Sequence, residues 1–227
     1  MSDKTALIIG AGAGLSASLA RTFATNGYKV ALAARNADKL ADLAKETGAK
    51  AYACDAASPQ EMAGLFASVD RDLGEPEVAV YNPSARVRGP VHELDADKVR
   101  DAMLITGYGA FLMAQEAVKR MLPNNRGTLL FTGASAGVKG FPNSSSFAMG
   151  KFALRGLAQA LARELHPQGI HVGHFVIDGG IASSYGAKED DSTLSPDAIA
   201  ETYWQFVNQH RSAWAWEVEL RPWVEKF

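Results

Sequence analysis

Short apolar runs alternate with amphipathic stretches along most of this chain. Thr5–Ile9, Tyr28–Ala33, Ala49–Ala53, Glu77–Tyr81, Gly127–Gly133 and Ile170–Ile177 have strand length and are bounded by glycine, proline or polar residues. Between them, apolar positions recur at helical spacing. Leu15, Leu19 and Phe23 form one such face, ended by Asn26-Gly27; Leu40, Leu43 and Ala44 form another, closed by Gly48. Ser58-Pro59-Gln60-Glu61 reads as a helix start, with Ser58 as N-cap, Pro59 at the first position and Glu61 completing a capping box. A long helical pattern from about Asp95 to Leu122 is expected to expose Gly107, Phe111, Ala114 and Val118 on one side, and Pro123–Arg126 reads as a loop. Phe147–Leu165 is a further helix, Ser195-Pro196-Asp197 starts another, and Trp216–Arg221 alternates enough to be a last strand.

This alternation favours a parallel sheet with helices on both faces. The expected fold class is therefore α/β, a doubly wound Rossmann-type domain with about seven strands. No repeat, low-complexity segment or linker divides the chain, so residues 1–227 are expected to form a single domain, with 182–227 as substrate loop and C-terminal region. A length of 227 residues suffices for a sizeable core.

Composition mainly excludes. A net charge of −2 gives no reason to expect a nucleic-acid or acidic-membrane surface. No apolar run approaches bilayer-spanning length and the first residues show no signal-peptide pattern, so a cytoplasmic location is the expectation. The lone Cys54 cannot form an internal disulfide, which fits a reducing compartment.

Gly10-Ala11-Gly12-Ala13-Gly14 sits after a strand and before a helix, where backbone N–H groups can cradle a pyrophosphate. The alternative is an ordinary glycine-rich strand–helix turn. At the end of the second strand stand Ala34 and Arg35, with no acid to bond a ribose 2′-hydroxyl. A guanidinium there can pair with a 2′-phosphate, which favours NADP(H) over NAD(H); otherwise Arg35 is a solvated surface residue.

From Thr5 to about Ser183 these residues resemble the short-chain dehydrogenase/reductase family. Gly10-x-x-x-Gly14-Leu15-Ser16 is similar to the family's T-G-x-x-x-G-[IL]-G turn, with Ile9 for Thr and Ser16 for the last Gly. Asp55, followed by Ala56, matches the acid that contacts the adenine. Tyr81-Asn82-Pro83-Ser84 stands where the family has N-N-A-G. Ile177-Asp178-Gly179-Gly180-Ile181-Ala182-Ser183 resembles P-G-x-[VI]-x-T beside the nicotinamide, and Phe147-x-x-x-Lys151 stands where the family has Y-x-x-x-K.

The resemblance implies hydride transfer between a nicotinamide and a carbonyl or alcohol. It also implies a cofactor site drawn from Gly10, Gly14, Leu15, Ser16, Arg35, Asp55, Ala56, Asn82, Pro83, Lys151, Gly179 and Ile181. The family's Ser-Tyr-Lys-Asn tetrad maps onto Ala134, Phe147, Lys151 and Thr106, with Ser135 one residue from the Ser position. Three of the four positions therefore depart from the family.

Two readings follow. The first is an NADP-dependent oxidoreductase acting on a small carbonyl or alcohol with a non-standard or weakened proton donor, in which Lys151 and Ser135 carry what chemistry remains. The second is a non-catalytic NADP(H)-binding protein serving as sensor or assembly partner. Substitute donors near the expected cleft are Ser144, Ser145, Ser146, Tyr108, His92 and Tyr185, each more simply read as an ordinary loop or surface residue.

His166 is expected near a helix C-terminus, where positive charge is welcome. His171 and His174 flank a strand without companions at metal-ligand spacing, so no metal is expected. Family members are commonly homodimers or homotetramers built on helices corresponding to 95–122 and 147–165. The four tryptophans, Trp204, Trp214, Trp216 and Trp223, either add an interface or cap the core.

Overall fold

The computed structural model describes residues 4–182 and 190–225. Seven parallel strands form one sheet: β1 (Thr5–Ile9), β2 (Lys29–Ala34), β3 (Lys50–Ala53), β4 (Pro76–Tyr81), β5 (Gly127–Thr132), β6 (Ile170–Ile177) and β7 (Glu217–Leu220). Their order is β3-β2-β1-β4-β5-β6-β7. The connecting helices are α1 (Leu15–Thr25), α2 (Ala41–Thr47), α3 (Pro59–Leu73), α4 (Ala96–Met103), α5 (Gly109–Met121), α6 (Ser145–Leu165) and α7 (Pro196–Val207).

Strand period fixes which side chain goes where. In β1, Leu7 and Ile9 enter a core with Met62, Phe66, Met113 and Leu154, from α3, α5 and α6. Ala6 and Ile8 enter a second core with Leu19, Phe23, Tyr203 and Phe206, from α1 and α7. Every residue of β1, β5 and β6 is buried, as a central parallel sheet covered on both faces requires.

The strand–helix pattern appears nearly as read from the sequence, with strand ends moved by a residue; Gly133 falls just outside β5. Ser58 caps α3, accepting from Glu61 N at 3.3 Å with Pro59 in the first turn. The reciprocal half of the capping box is absent, because Glu61 Oε2 instead accepts from Asp55 N at 2.8 Å.

The helix expected over Asp95–Leu122 is interrupted. A π-type turn, Leu104–Tyr108, separates α4 from α5. Such turns recur at functional sites, and here it is tied to β4, since Tyr81 Oη donates to Ile105 O. Phe111 is exposed as expected, but Ala114 is buried, because α5 packs against α3 and the sheet on that side. Residues 122–124 form a 3₁₀ turn rather than a loop.

His171 and His174 lie inside β6, not beside it, and both are buried. His166 does close α6, but burial lowers its pKa and its Nε2 accepts from Val172 N, so it is not the helix-end cation expected. Trp204 packs edge-on to Phe23 and Tyr28, Trp214 stacks on His171, and Trp216 packs on the first core; only Trp223 is strongly exposed. No helix among the described residues is long and apolar enough to cross a membrane.

Candidate active site

The sheet order reverses direction at β1, whose neighbours are β2 and β4. Chains leaving β1 and β4 therefore part to opposite sides and leave a crevice at the carboxyl ends of the strands. Two adjoining clefts occupy it. One, of about 380 Å³, runs from the glycine turn to Lys151 and Ile181; the other, of about 360 Å³, lies between Arg35, Asp55 and Ala85. Gly10, Asn82 and Ser84 line both, so the two form one elongated groove.

At the centre the glycine turn is locked to the loop after β4. Gly10 has φ +79°, and a Cβ there would stand 2.6 Å from Pro83 N, so only glycine fits. Ser16 Oγ donates to Gly10 O at 3.0 Å and accepts from Asn82 Nδ2 at 2.7 Å. Gly14 begins α1 without a side-chain cap, and no acid occupies the first turn. Ala17 N donates to Gly14 O at 2.9 Å, while Leu15 N and Ser16 N have no hydrogen-bond partner among the described residues and their residues line the groove, where an anion can meet them. A close backbone cradle with an uncapped helix end suits a dinucleotide pyrophosphate.

Arg35, Asp55, Ala56 and Pro83 line the cleft on the β2–β3 side. Arg35 is exposed and makes no ion pair among the described residues. Asp55 Oδ1 accepts from Ala57 N, which fixes that turn. Gly179 and Ile181 line the opposite end, where Gly179 has φ +156° and packs against Pro222.

Lys151 dominates that end. Its side chain is 2% exposed, yet it lines the cleft. Nζ donates to Thr132 O at 2.6 Å, its single hydrogen bond among the described residues. No carboxylate among the described residues pairs with it, and burial, reinforced by the Arg86 charge, lowers its pKa to about 7. Phe147 lies beside it, with Lys151 Nζ 5.8 Å and Arg86 Cζ 3.9 Å from the ring centroid. Ala134 and Ser135 both line the cleft, Ala134 extended and Ser135 opening a short 3₁₀ turn.

Below this end, neutral His174 donates from Nδ1 to Glu217 at 3.0 Å, and Arg155 holds Glu217 by two bonds of 2.7 and 2.8 Å. Burial takes the His174 pKa down to about 4, leaving Nε2 an acceptor with no partner among the described residues. Nε2 lies against Gly133, where a Cβ would approach it to 2.4 Å.

The chain matches the short chain dehydrogenase family over residues 4–193. It belongs to that family. The solved short-chain dehydrogenase from Rhodopseudomonas palustris is 33% identical, with a TM-score of 0.88, and the match covers 98% of this chain and 100% of that one. An uncharacterized oxidoreductase of Staphylococcus aureus is 25% identical over 228 residues, 98% of either chain. A metagenomic short-chain oxidoreductase solved in complex with NADP is 23% identical, with a TM-score of 0.86 and 99% of both chains covered. That last likeness speaks for the fold alone.

The groove is lined by every residue expected at the cofactor site and by Ala134, Ser135, Phe147 and Lys151. Thr106 stands apart from them. It is buried, packs against Gly150 of α6 and lines neither cleft, and its Oγ1 accepts from Ala85 N of the cleft wall at 3.1 Å. Among the substitute donors, Tyr108 is exposed against Phe111 and His92 is exposed beside Glu93. Ser146 is buried and bonded to Val87, Ser144 lies outside the groove, and Tyr185 lies outside the described residues. Sequence reasoning missed Arg86 and Thr132. The one signal for Arg86 was Arg86-Val87-Arg88, two cations just beyond a strand-end motif.

Proposed function

We propose that this protein is an NADP(H)-dependent oxidoreductase that interconverts a small carbonyl compound and its alcohol, with Lys151 as the proton donor. The observation that carries the reading is Lys151, an unpaired amine buried at the end of the groove with a pKa near 7. Phe147 and Ala134 stand where the family has its catalytic Tyr and Ser, and neither side chain can give a proton or a hydrogen bond. The bound nicotinamide supplies the hydride. Lys151 Nζ gives its proton to the substrate oxygen as the carbonyl carbon is reduced, and an amine with a pKa near working pH is matched to that task. In the reverse direction the neutral amine takes the alcohol proton. The Ser135 hydroxyl, at the same end, donates to the developing alkoxide.

Gly10, Gly14, Leu15 and Ser16 hold the pyrophosphate in this reading. Asp55 and Ala56 flank the adenine, Asn82 and Pro83 support the turn, and Gly179, Ile181 and Lys151 border the nicotinamide riboside. The close fit of the glycine turn supports it.

Arg35, with no ion-pair partner among the described residues, selects the 2′-phosphate. Arg35→Gln should raise the Kd for NADPH about tenfold, the scale of one charge-assisted contact, while leaving NADH within twofold. Calorimetric titration of both cofactors reads this; equal weakening of the two would remove Arg35 from cofactor choice. Exposed Leu104, Tyr108 and Phe111, with Met149 and Phe152 of α6, support a homodimer or homotetramer through these helices.

The function itself is tested by following NADPH oxidation with a panel of aldehydes and ketones. Turnover in the wild type that Lys151→Met abolishes supports the proposal. Equal turnover in both removes Lys151 from the chemistry. NADPH bound tightly and never consumed leaves the non-catalytic reading standing.

A further inference from the structure

Beyond the groove, a third cavity of about 480 Å³ opens against the Lys151 end. It shares Arg86, Ser135 and Phe147 with the groove and adds Arg88 and Asn143 to its wall. No acidic residue lines it, and neither arginine has an ion-pair or hydrogen-bond partner among the described residues.

These cations are held in place. Ala85 N donates to Thr106 Oγ1 at 3.1 Å. Val87 is bonded through both N and O to Ser146 Oγ, at 2.9 and 2.8 Å. Gly89 N donates to Asn143 O at 3.1 Å. The backbone is thus pinned to the protein at residues 85, 87 and 89, and the two residues between those anchors, Arg86 and Arg88, both line the cavity. Arg86 is further steadied by the face of Phe147. The Arg86 guanidinium has no hydrogen-bond partner among the described residues, and its N–H fork suits two parallel bonds to a carboxylate.

We propose that this cavity binds a carboxylate carried by the substrate, with Arg86 as the principal ligand and Arg88 beside it, so that the substrate class is a short oxo acid or its hydroxy acid. The inference rests on the proposed reaction in one respect, that the carbonyl reacts beside Lys151 and Ser135. Arg86 Cζ and Lys151 Nζ both lie within 5.8 Å of one ring centroid, which suits a carboxylate only a few bonds from the carbonyl. Phe147 then has a use of its own: its ring is the platform for the cation that reads the substrate. Thr106 and Ser146 are positioning residues for the arginine segment.

The probe is benzoylformate against its neutral methyl ester, titrated calorimetrically into cofactor-free and NADPH-loaded protein. The acid should bind at least about tenfold tighter than the ester, the scale of a charge-assisted bidentate contact. Arg86→Gln should abolish that difference while changing the Kd for NADPH less than about twofold. Phe147→Leu should weaken the acid by about threefold, as expected for loss of an exposed cation–π contact. Equal binding of acid and ester overturns the proposal. So does an Arg86→Gln variant that weakens NADPH as much as the acid, which would make Arg86 a cofactor-phosphate ligand. The two readings separate cleanly. Arg86-dependent acid binding without NADPH oxidation sinks the reductase and keeps the anion site. Brisk reduction of neutral ketones with no preference for the acid keeps the reductase and sinks the anion site.

Discussion

Lys151→Met should make the cofactor-free protein more stable than wild type at pH 6 and strip it of carbonyl reduction. The sign follows from the pKa. Burial brings the Lys151 pKa from 10.5 to about 7, so between those values the unfolded chain binds a proton that the folded one does not. Wild-type stability therefore rises with pH through that window, by up to about 1.4 kcal/mol per unit. Below pH 7 the whole penalty of holding a buried ammonium is present, on the order of 5 kcal/mol if the full shift is expressed. Methionine keeps the length and apolar stem and removes both the penalty and the slope.

Urea melts of wild type and variant from pH 6 to pH 9 should show curves that converge as pH rises; parallel curves would mean that the amine is solvated. For activity, loss of a general acid typically costs about 10²–10⁴-fold. Carbonyl reduction by wild type should fall as pH rises through about 7, because only the protonated amine donates. A profile flat to pH 9 would place the donor elsewhere.

Gly10→Ala should lower stability by about 2–5 kcal/mol, combining a left-handed backbone penalty with overpacking. The added methyl would meet Pro83 N at 2.6 Å and the proline ring carbons at 2.8 Å, none of which can move without shifting the loop after β4. That shift would also break the Asn82–Ser16–Gly10 bonds that shape the turn. NADPH affinity should therefore fall by tenfold or more, about the effect of misplacing one charge-assisted contact.

Gly12→Ala is the control. A Cβ at Gly12 meets nothing within 4 Å, so its melting temperature should stay near that of wild type. If the cofactor lies across this turn, Gly12→Ala weakens NADPH without loss of stability. An unchanged Kd for both variants would move the nucleotide off the turn.

Local chemistry explains what could be read in advance. Gly10 and Gly14 announce a strand–turn–helix because few other sequences make one, and Ser58-Pro59 marks a helix start because both residues act within one turn. The capping box was legible only in half, because Glu61 had a choice of donors and took Asp55 N. The π turn was invisible. It depends on Tyr81 reaching Ile105 O across 24 residues of chain, whereas the apolar period around it is an ordinary helical one.

The sequence by itself determined the order of strands and helices, the glycine turn and the absence of a hydroxyl at Phe147, since each is a property of a few adjacent residues. Tertiary structure decided what stands in place of that hydroxyl. It buried Lys151 beside the Arg86 charge, which lowers the pKa of its amine, and it laid Arg86 on the Phe147 ring by bonding Val87 to Ser146, 59 residues away. Burial and contact between distant segments are properties of the folded chain, and local pattern carries no record of them.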